Sequence, residues 1–221
     1  MKDFFLFAGP NGSGKSTIIG KNEPYFSDNH IQYLNADYCA RADPDIAKMP
    51  EGKEKSVRAQ KETERRLEEM ISAGLSFAWE TVFSHESRLD IMKSAKKKGY
   101  RIHLQYITTK NPDINVARVH KRYVQGGHDV PEEKIRGRYE RSVTFLPEMI
   151  VIADEVLIYD NSYENTNPTL LFQKFMKSVD DSEPEMIVWQ PDDEDLADWV
   201  TMYVLNPLFE RDICVQCYTL I

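Results

Sequence analysis

Gly9-Pro10-Asn11-Gly12-Ser13-Gly14-Lys15-Ser16 fits the phosphate-loop pattern G-x-x-x-x-G-K-[ST] at every fixed position. The apolar run Phe4-Phe5-Leu6-Phe7-Ala8 before it reads as a buried strand, and Thr17-Ile18-Ile19 after it continues as a helix. Strand, glycine loop and helix form the context in which this pattern binds phosphate. Gly12 and Gly14 are expected at positive φ, so that successive backbone N–H groups converge on one anion. The helix N-terminus behind them adds a partial positive charge. Lys15 is expected to reach the β- and γ-phosphates of a nucleoside triphosphate, and the Ser16 hydroxyl to hold Mg²⁺. Gly9 to Thr17 is thus the expected nucleotide-binding segment.

Working outward, 221 residues are enough for a full core, with one domain as the default, and 41% hydrophobic residues is a globular composition. The net charge of −8 argues against nucleic-acid binding through the overall field, while leaving room for a local basic patch. Three cysteines make no disulfide framework, so a reducing compartment is expected, and Cys214-x-x-Cys217 lacks further ligands for a metal. The chain starts directly in a strand, and no apolar run nears the length of a membrane span. A cytoplasmic protein is expected.

Further along, Ile31–Asn35 reads as a second strand ending at Ala36-Asp37, and the proline-bearing stretch 41–52 as a loop. A helix follows from Glu51 to Ala73, with Gly74 as its C-cap. Leu75–Trp79 reads as a third strand ending in Glu80-Thr81. Ser87 and Asp90 suggest a capping box for a helix ending at Gly99. Arg101–Ile107 is a fourth strand. Asn111-Pro112 opens a helix running to about Val124, Gln125–Val130 breaks it, and Pro131 starts another with Ile135, Tyr139, Ser142 and Leu146 inward. Glu155–Tyr159 is a fifth strand. Strands alternating with helices predict an α/β fold with a parallel five-stranded sheet covered on both faces. Beyond it, 169–179 and 185–190 read as an antiparallel hairpin around 180–182, and a helix runs from about Glu194 to Leu205.

In a parallel sheet, functional groups gather beyond the carboxyl ends of the strands. Asp37, Glu80 and Asp160 fall there. Asp37 is the candidate base for an attacking hydroxyl, against the simpler role of a cap or turn residue. Glu80 is a candidate ligand for substrate hydroxyls, and Asp160 stays open. Arg118 and Arg122 share one helix face; Lys134, Arg138 and Arg141 share another. The break at Gly126-Gly127-His128 between them describes a hinge. Residues 118–142 therefore read as a helical lid that closes arginines onto the β/γ-phosphates. The plainer alternative is that these arginines pair at the surface with Glu132, Glu133 and Glu140. His128 is a candidate phosphate contact, with a structural role equally open.

Arg118-Val119-His120-Lys121-Arg122-Tyr123-Val124-Gln125-Gly126-Gly127-His128-Asp129-Val130-Pro131, then Ile135–Ser142, then Tyr159-Asp160-Asn161-Ser162, resemble the short bacterial branch of the zeta toxin family. Ala8–Thr17, Asn35-Ala36-Asp37 and Trp79-Glu80-Thr81 fit the same family in the same order. The resemblance covers residues 3 to about 165. It implies a P-loop kinase fold with ATP and Mg²⁺ as the phosphoryl donor. Toxin members phosphorylate a hydroxyl of UDP-N-acetylglucosamine. By that resemblance Asp37 matches the base, Glu80 with Thr81 the substrate-binding segment, Arg138 or Arg141 a lid arginine, and Asn161 lies where related kinases contact adenine. His128 stands near where the toxins carry an arginine, a departure from the family pattern. The expected organisation is a kinase domain at 1–165 and a C-terminal extension at 166–221 packed on it, whose Trp189, Asp192, Asp193 and Trp199 read as packing and surface. The expected partner is a small-molecule hydroxyl substrate; nucleic acid and membrane are not expected, and an antitoxin leaves no signal in the chain. A nucleic-acid end kinase and an ATP-dependent switch are the alternatives.

Overall fold

The computed structural model describes residues 2–20, 22–126, 130–176 and 184–219. β1 (Lys2–Ala8), β2 (Gln32–Leu34), β3 (Phe77–Thr81), β4 (Tyr100–Thr108) and β5 (Glu155–Asp160) run parallel in the order β2-β3-β1-β4-β5. β1 thus lies at the point where the strand order reverses, and the crevice beyond its carboxyl end is where such sheets bind ligands.

The sheet is longer than expected. β6 (Thr169–Phe175) pairs antiparallel with β5, β7 (Glu185–Gln190) antiparallel with β6, and β8 (Gln216–Thr219) parallel with β7, giving eight strands among the described residues. The expected hairpin forms, and it forms as a continuation of the main sheet; its turn at 180–182 lies outside the described residues. Four residues of mixed polarity are too short a pattern to announce β8.

The helices are α1 (Lys15–Gly20), α2 (Glu23–Asp28), α3 (Ala36–Ala42), α4 (Pro44–Ala47), α5 (Lys53–Ala73), α6 (Ser87–Lys97), α7 (Pro112–Val124), α8 (Glu132–Ile152), α9 (Glu194–Val200) and α10 (Asn206–Phe209). The pleat of β1 sorts its side chains. Phe4, Leu6 and Ala8 join Leu67 of α5, Met92 of α6 and Leu146 of α8, while Phe7 turns to Ile19 of α1 and Phe26 of α2. The larger cluster continues through Phe172, Val188, Leu196 and Trp199, so the C-terminal strands and α9 share one core with the phosphate-loop strand.

Several local expectations hold for their stated reasons. Asn111 caps α7 by accepting from Asp113 N and Ile114 N, with Pro112 in the first turn. Gly74 closes α5 at φ +70°. Ile135, Tyr139, Ser142 and Leu146 are all buried.

Others are corrected. Half of the stretch 41–52 is helical, the end of α3 and then α4, because Asp43 accepts from Asp45 N and Ile46 N and Pro44 fits the first turn of α4. Ser87 makes no capping box: the cap is Glu86, without a side-chain bond, and Ser87 N instead donates to His85 Nδ1 at 3.2 Å. The helix expected from Glu194 to Leu205 does form over that span, α-helical to Val200 and π-helical over Thr201–Leu205. Cys39, Cys214 and Cys217 are free thiols. Among the described residues no helix is long and apolar enough to cross a membrane.

Candidate functional site

The phosphate loop leaves β1 at Gly9 and enters α1 at Lys15. Gly9, Gly12 and Gly14 sit at φ +143°, +78° and +94°. A Cβ on Gly12 would lie 2.8 Å from Asn115 O, and one on Gly14 2.3 Å from Asn161 Nδ2, so α7 and the segment after β5 press directly on the loop. Those neighbours also bond it: Asn115 Nδ2 donates to Asn11 O at 2.7 Å and Asn161 Nδ2 to Ser13 O at 2.7 Å. Pro10 O accepts from Ser13 N at 3.3 Å, and Gly14 O from Thr17 N at 3.1 Å. Ser13 Oγ is buried with no partner in the structure.

Lys15 is buried and folds back over the loop. Its ammonium donates to Gly9 O and Pro10 O, both at 2.9 Å. Burial lowers its pKa to about 8; Glu80 opposes the shift, and Arg122 and Arg138 add to it. The charges of these two arginines reach the loop lysine, a local positive field in a chain of net charge −8.

Beside the loop, Ser16 Oγ donates to Glu80 Oε1 at 2.9 Å. Glu80 Oε2 accepts from Tyr33 OH and, at 3.2 Å, from Asn35 Nδ2. Asn35 also donates to Tyr33 OH at 2.6 Å, and its Oδ1 caps α3 through Tyr38 N at 2.6 Å. Burial, and then the Glu80 charge, push the Tyr33 phenol far above its usual range. Asp37 stands exposed in the first turn of α3, and its charge also acts on Tyr33. Of the strand-end carboxylates, Glu80 joins Tyr33 to Ser16 directly, and Asp37 acts on the same tyrosine through its charge. Oxygen donors in this pattern fit Mg²⁺, which prefers one or two protein ligands completed by phosphates. Thr81 Oγ1 accepts from Phe83 N at 3.3 Å.

The arginines divide. Arg138 is half-buried and donates to Asn11 Oδ1 at 3.1 Å; burial and then Arg141 lower its pKa. Arg141 Nε donates to Ser84 O at 3.1 Å. Arg118 holds the segment after β5 instead, through Asn161 O at 2.6 Å and Ser162 O at 3.3 Å. Arg136 makes the surface pairs, with Glu132 and Asp113. His128 and its neighbours Gly127 and Asp129 lie outside the described residues. Asp160 Oδ1 accepts from Ser162 N at 3.1 Å while its Oδ2 is buried without a partner, and burial raises its pKa.

Four contributors escaped the sequence reading. Arg88 is buried 5% exposed in the first turn of α6, 3.5 Å from Glu64, and its charge reaches Arg138. Asn115, Tyr33 and Asn35 brace the loop and Glu80. An Asn just before Ala36-Asp37 is a legible helix-cap signal; nothing in sequence says that an arginine at 88 will be inside.

The Zeta toxin family model matches residues 2–168. The chain belongs to the zeta toxin family. An uncharacterised protein of Haemophilus influenzae is 30% identical over 139 residues, which is 61% of this family member and 90% of the relative. A chain from the PezAT chromosomal toxin–antitoxin system of Streptococcus pneumoniae superposes with TM-score 0.60 at 20% identity, covering 78% of this chain and 72% of that one. A chain from the AvrRxo1-ORF1:-ORF2 complex superposes with TM-score 0.67 at 14% identity, covering 94% and 66%. Zeta toxin membership and these likenesses identify a P-loop kinase fold. The family match ends one residue before β6, so β6 to β8 and α9 stand outside it.

Proposed function

We propose that this protein is an ATP-dependent kinase that moves the γ-phosphoryl group of ATP to a hydroxyl of a small molecule. The observation that carries the reading is the grouping of Glu80 and Tyr33 against Ser16 at the head of the phosphate loop, with Asp37 close enough for its charge to act on Tyr33.

In this reaction the bond between the γ-phosphorus and the ADP oxygen breaks and a bond to the acceptor oxygen forms. Asp37, exposed beside Tyr33, takes the proton of the attacking hydroxyl. The loop amides hold the phosphates, and Lys15 swings its ammonium from Gly9 O and Pro10 O to them. Arg138, half-buried against Asn11, is placed to stabilise charge on the transferring group, with Arg122 and Arg141 flanking. Ser16 and Glu80 would hold Mg²⁺, which supplies charge neutralisation on the phosphate oxygens. Asn161 and Arg118 fix the wall beside the loop.

Family membership supports a sugar nucleotide of the UDP-N-acetyl type as acceptor, with Thr81 and His128 on the acceptor side, residues 1–165 as the kinase domain and 166–221 as its extension. It also supports a second protein as partner, since the similar PezAT and AvrRxo1 chains come from two-component systems. An ATP-consuming reaction calls for the cytoplasm.

The test is incubation with ATP, Mg²⁺ and a panel of sugar nucleotides and small alcohols, read by mass spectrometry for a product heavier by one phosphate. Asp37→Ala should lower product formation by roughly 10²- to 10⁴-fold while ATP still binds. Product formed at the parent rate by that variant removes Asp37 as the base, and the reading with it.

A further inference from the structure

Two lines of hydrogen bonds run from α9, outside the family match, to the phosphate loop. The first begins at Trp199, whose indole N–H donates to Tyr139 OH at 2.9 Å. Tyr139 OH donates in turn to Thr109 O at 2.6 Å. The Thr109 hydroxyl bonds Asn115 Oδ1, which turns the other end of that amide, Nδ2, onto Asn11 O at 2.7 Å. The second line begins at Asp193, the cap of α9. Its Oδ2 accepts from Lys110 Nζ at 2.8 Å and from Tyr163 OH. Lys110 N donates to Ser162 Oγ at 2.8 Å, and the adjoining Asn161 grips Ser13 O.

We propose that α9 is a positioning element for the phosphate loop, with Trp199 and Asp193 as its two positioning residues. The proposal rests on the nucleotide site argued above.

The first line has a direction that mere packing lacks. A phenol carries one proton, and Tyr139 spends it on Thr109 O, so its oxygen needs a donor from elsewhere. Trp199 supplies such a donor alongside the Thr108 side chain, in a place where Trp199, Tyr139, Thr109 and Asn115 are all 3% exposed or less. Tyr139 also pins the rotation of α8 next to Arg138, which holds the other end of Asn11 at Oδ1. Asn11 is thus held at its carbonyl by Asn115 and at its side chain by Arg138, the residue before Tyr139 on α8. Lines of this kind modulate binding energetically when each member has two discrete arrangements.

The experiment measures ATP binding by calorimetry on the full chain, alongside thermal melts. Trp199→Phe keeps an aromatic ring and removes the N–H. It should weaken ATP binding by about 3- to 30-fold at a temperature where the fold is intact. Trp189→Phe is the control, because the Trp189 indole N–H meets no partner among the described residues; ATP affinity should stay within about twofold of the parent. Tyr139→Phe should weaken binding too, and the Trp199→Phe/Tyr139→Phe double variant should lose much less than the product of the two single losses. Should Trp199→Phe fail to fold, Tyr139→Phe and Asp193→Asn, which keeps an oxygen for the α9 cap, carry the same comparison. A lowered melting temperature with unchanged ATP affinity in these variants makes α9 a structural prop and overturns the positioning role. Fully multiplicative losses in the double variant also overturn it. Absence of ATP binding by the parent overturns the nucleotide site itself, and the positioning role with it.

Discussion

Ser16 Oγ donates to Glu80 Oε1 at 2.9 Å, so the loop hydroxyl expected to face Mg²⁺ and the carboxylate expected to face the acceptor are hydrogen-bonded to each other. Glu80 is therefore placed to serve the phosphate side of the site. Glu80→Gln keeps an oxygen for Ser16 but loses the charge. Steady-state turnover should fall by about 10- to 100-fold and the Mg²⁺ concentration for half-maximal rate should rise, with ATP binding retained. Unchanged Mg²⁺ dependence would return Glu80 to the acceptor side alone.

Arg138 and Arg118 should fail differently. Arg138 points to Asn11 from a largely desolvated position, and a lysine there cannot reproduce the planar guanidinium. Arg138→Lys should lower kcat by about 10²-fold or more, with a smaller effect on KM. Arg118 bonds the Asn161 and Ser162 carbonyls after β5, so Arg118→Ala should raise KM for ATP more than it lowers kcat. Arg136, in exposed pairs, should change stability by less than about 0.5 kcal/mol on conversion to Ala, by urea denaturation.

Gly14 meets two demands at once. Its φ of +94° is costly for any L side chain, and Asn161 Nδ2 stands 2.3 Å from where a Cβ would go. Gly14→Ala should cost about 1–3 kcal/mol and lower the melting temperature by roughly 5 °C, because either the backbone or the Asn161–Ser13 bond must yield. Calorimetry should show ATP binding lost. A melting temperature equal to that of the parent would show that the loop relaxes freely.

Lys15 and Lys174 both have their pKa lowered to about 8 by burial, Lys174 while donating to Ile150 O at 2.9 Å and Ala153 O at 2.6 Å beyond the end of α8. A lysine depressed in the folded state binds fewer protons there than when unfolded. Unfolding then takes up protons between the two values, so each contributes stability that grows as pH rises from about 8 toward the unfolded value near 10.5. Melting temperatures should increase between about pH 8 and 9.5, and Lys174→Met should flatten the rise. Polyphosphate favours the charged form of Lys15. ATP binding above about pH 8 should take up a proton and weaken as pH rises, seen by calorimetry in buffers of different ionisation enthalpy.

The residues that build the loop and its strand were legible because they obey local rules. Three glycines, one lysine and one serine at fixed spacing need a particular backbone, and Asn111-Pro112 and Gly74 mark helix ends by their own hydrogen bonds and φ preferences. The lid arginines were legible only as a group: spacing put them on faces, but Arg138 goes to Asn11 and Arg118 to Asn161 O because of how α7 and α8 cross the loop.

From sequence alone came the phosphate loop, the alternation that builds a parallel sheet, and the acids at the strand ends, since each depends on residues near one another in the chain. Tertiary structure decided that β5 is followed in the sheet by β6, β7 and β8, that Glu80 bonds Ser16 while Tyr33 and Asn35 hold its other oxygen, that Arg88 is buried, and that Trp199 reaches Tyr139. Those contacts join residues tens of positions apart, where no local periodicity operates and only the packing of helices on the sheet brings donor to acceptor.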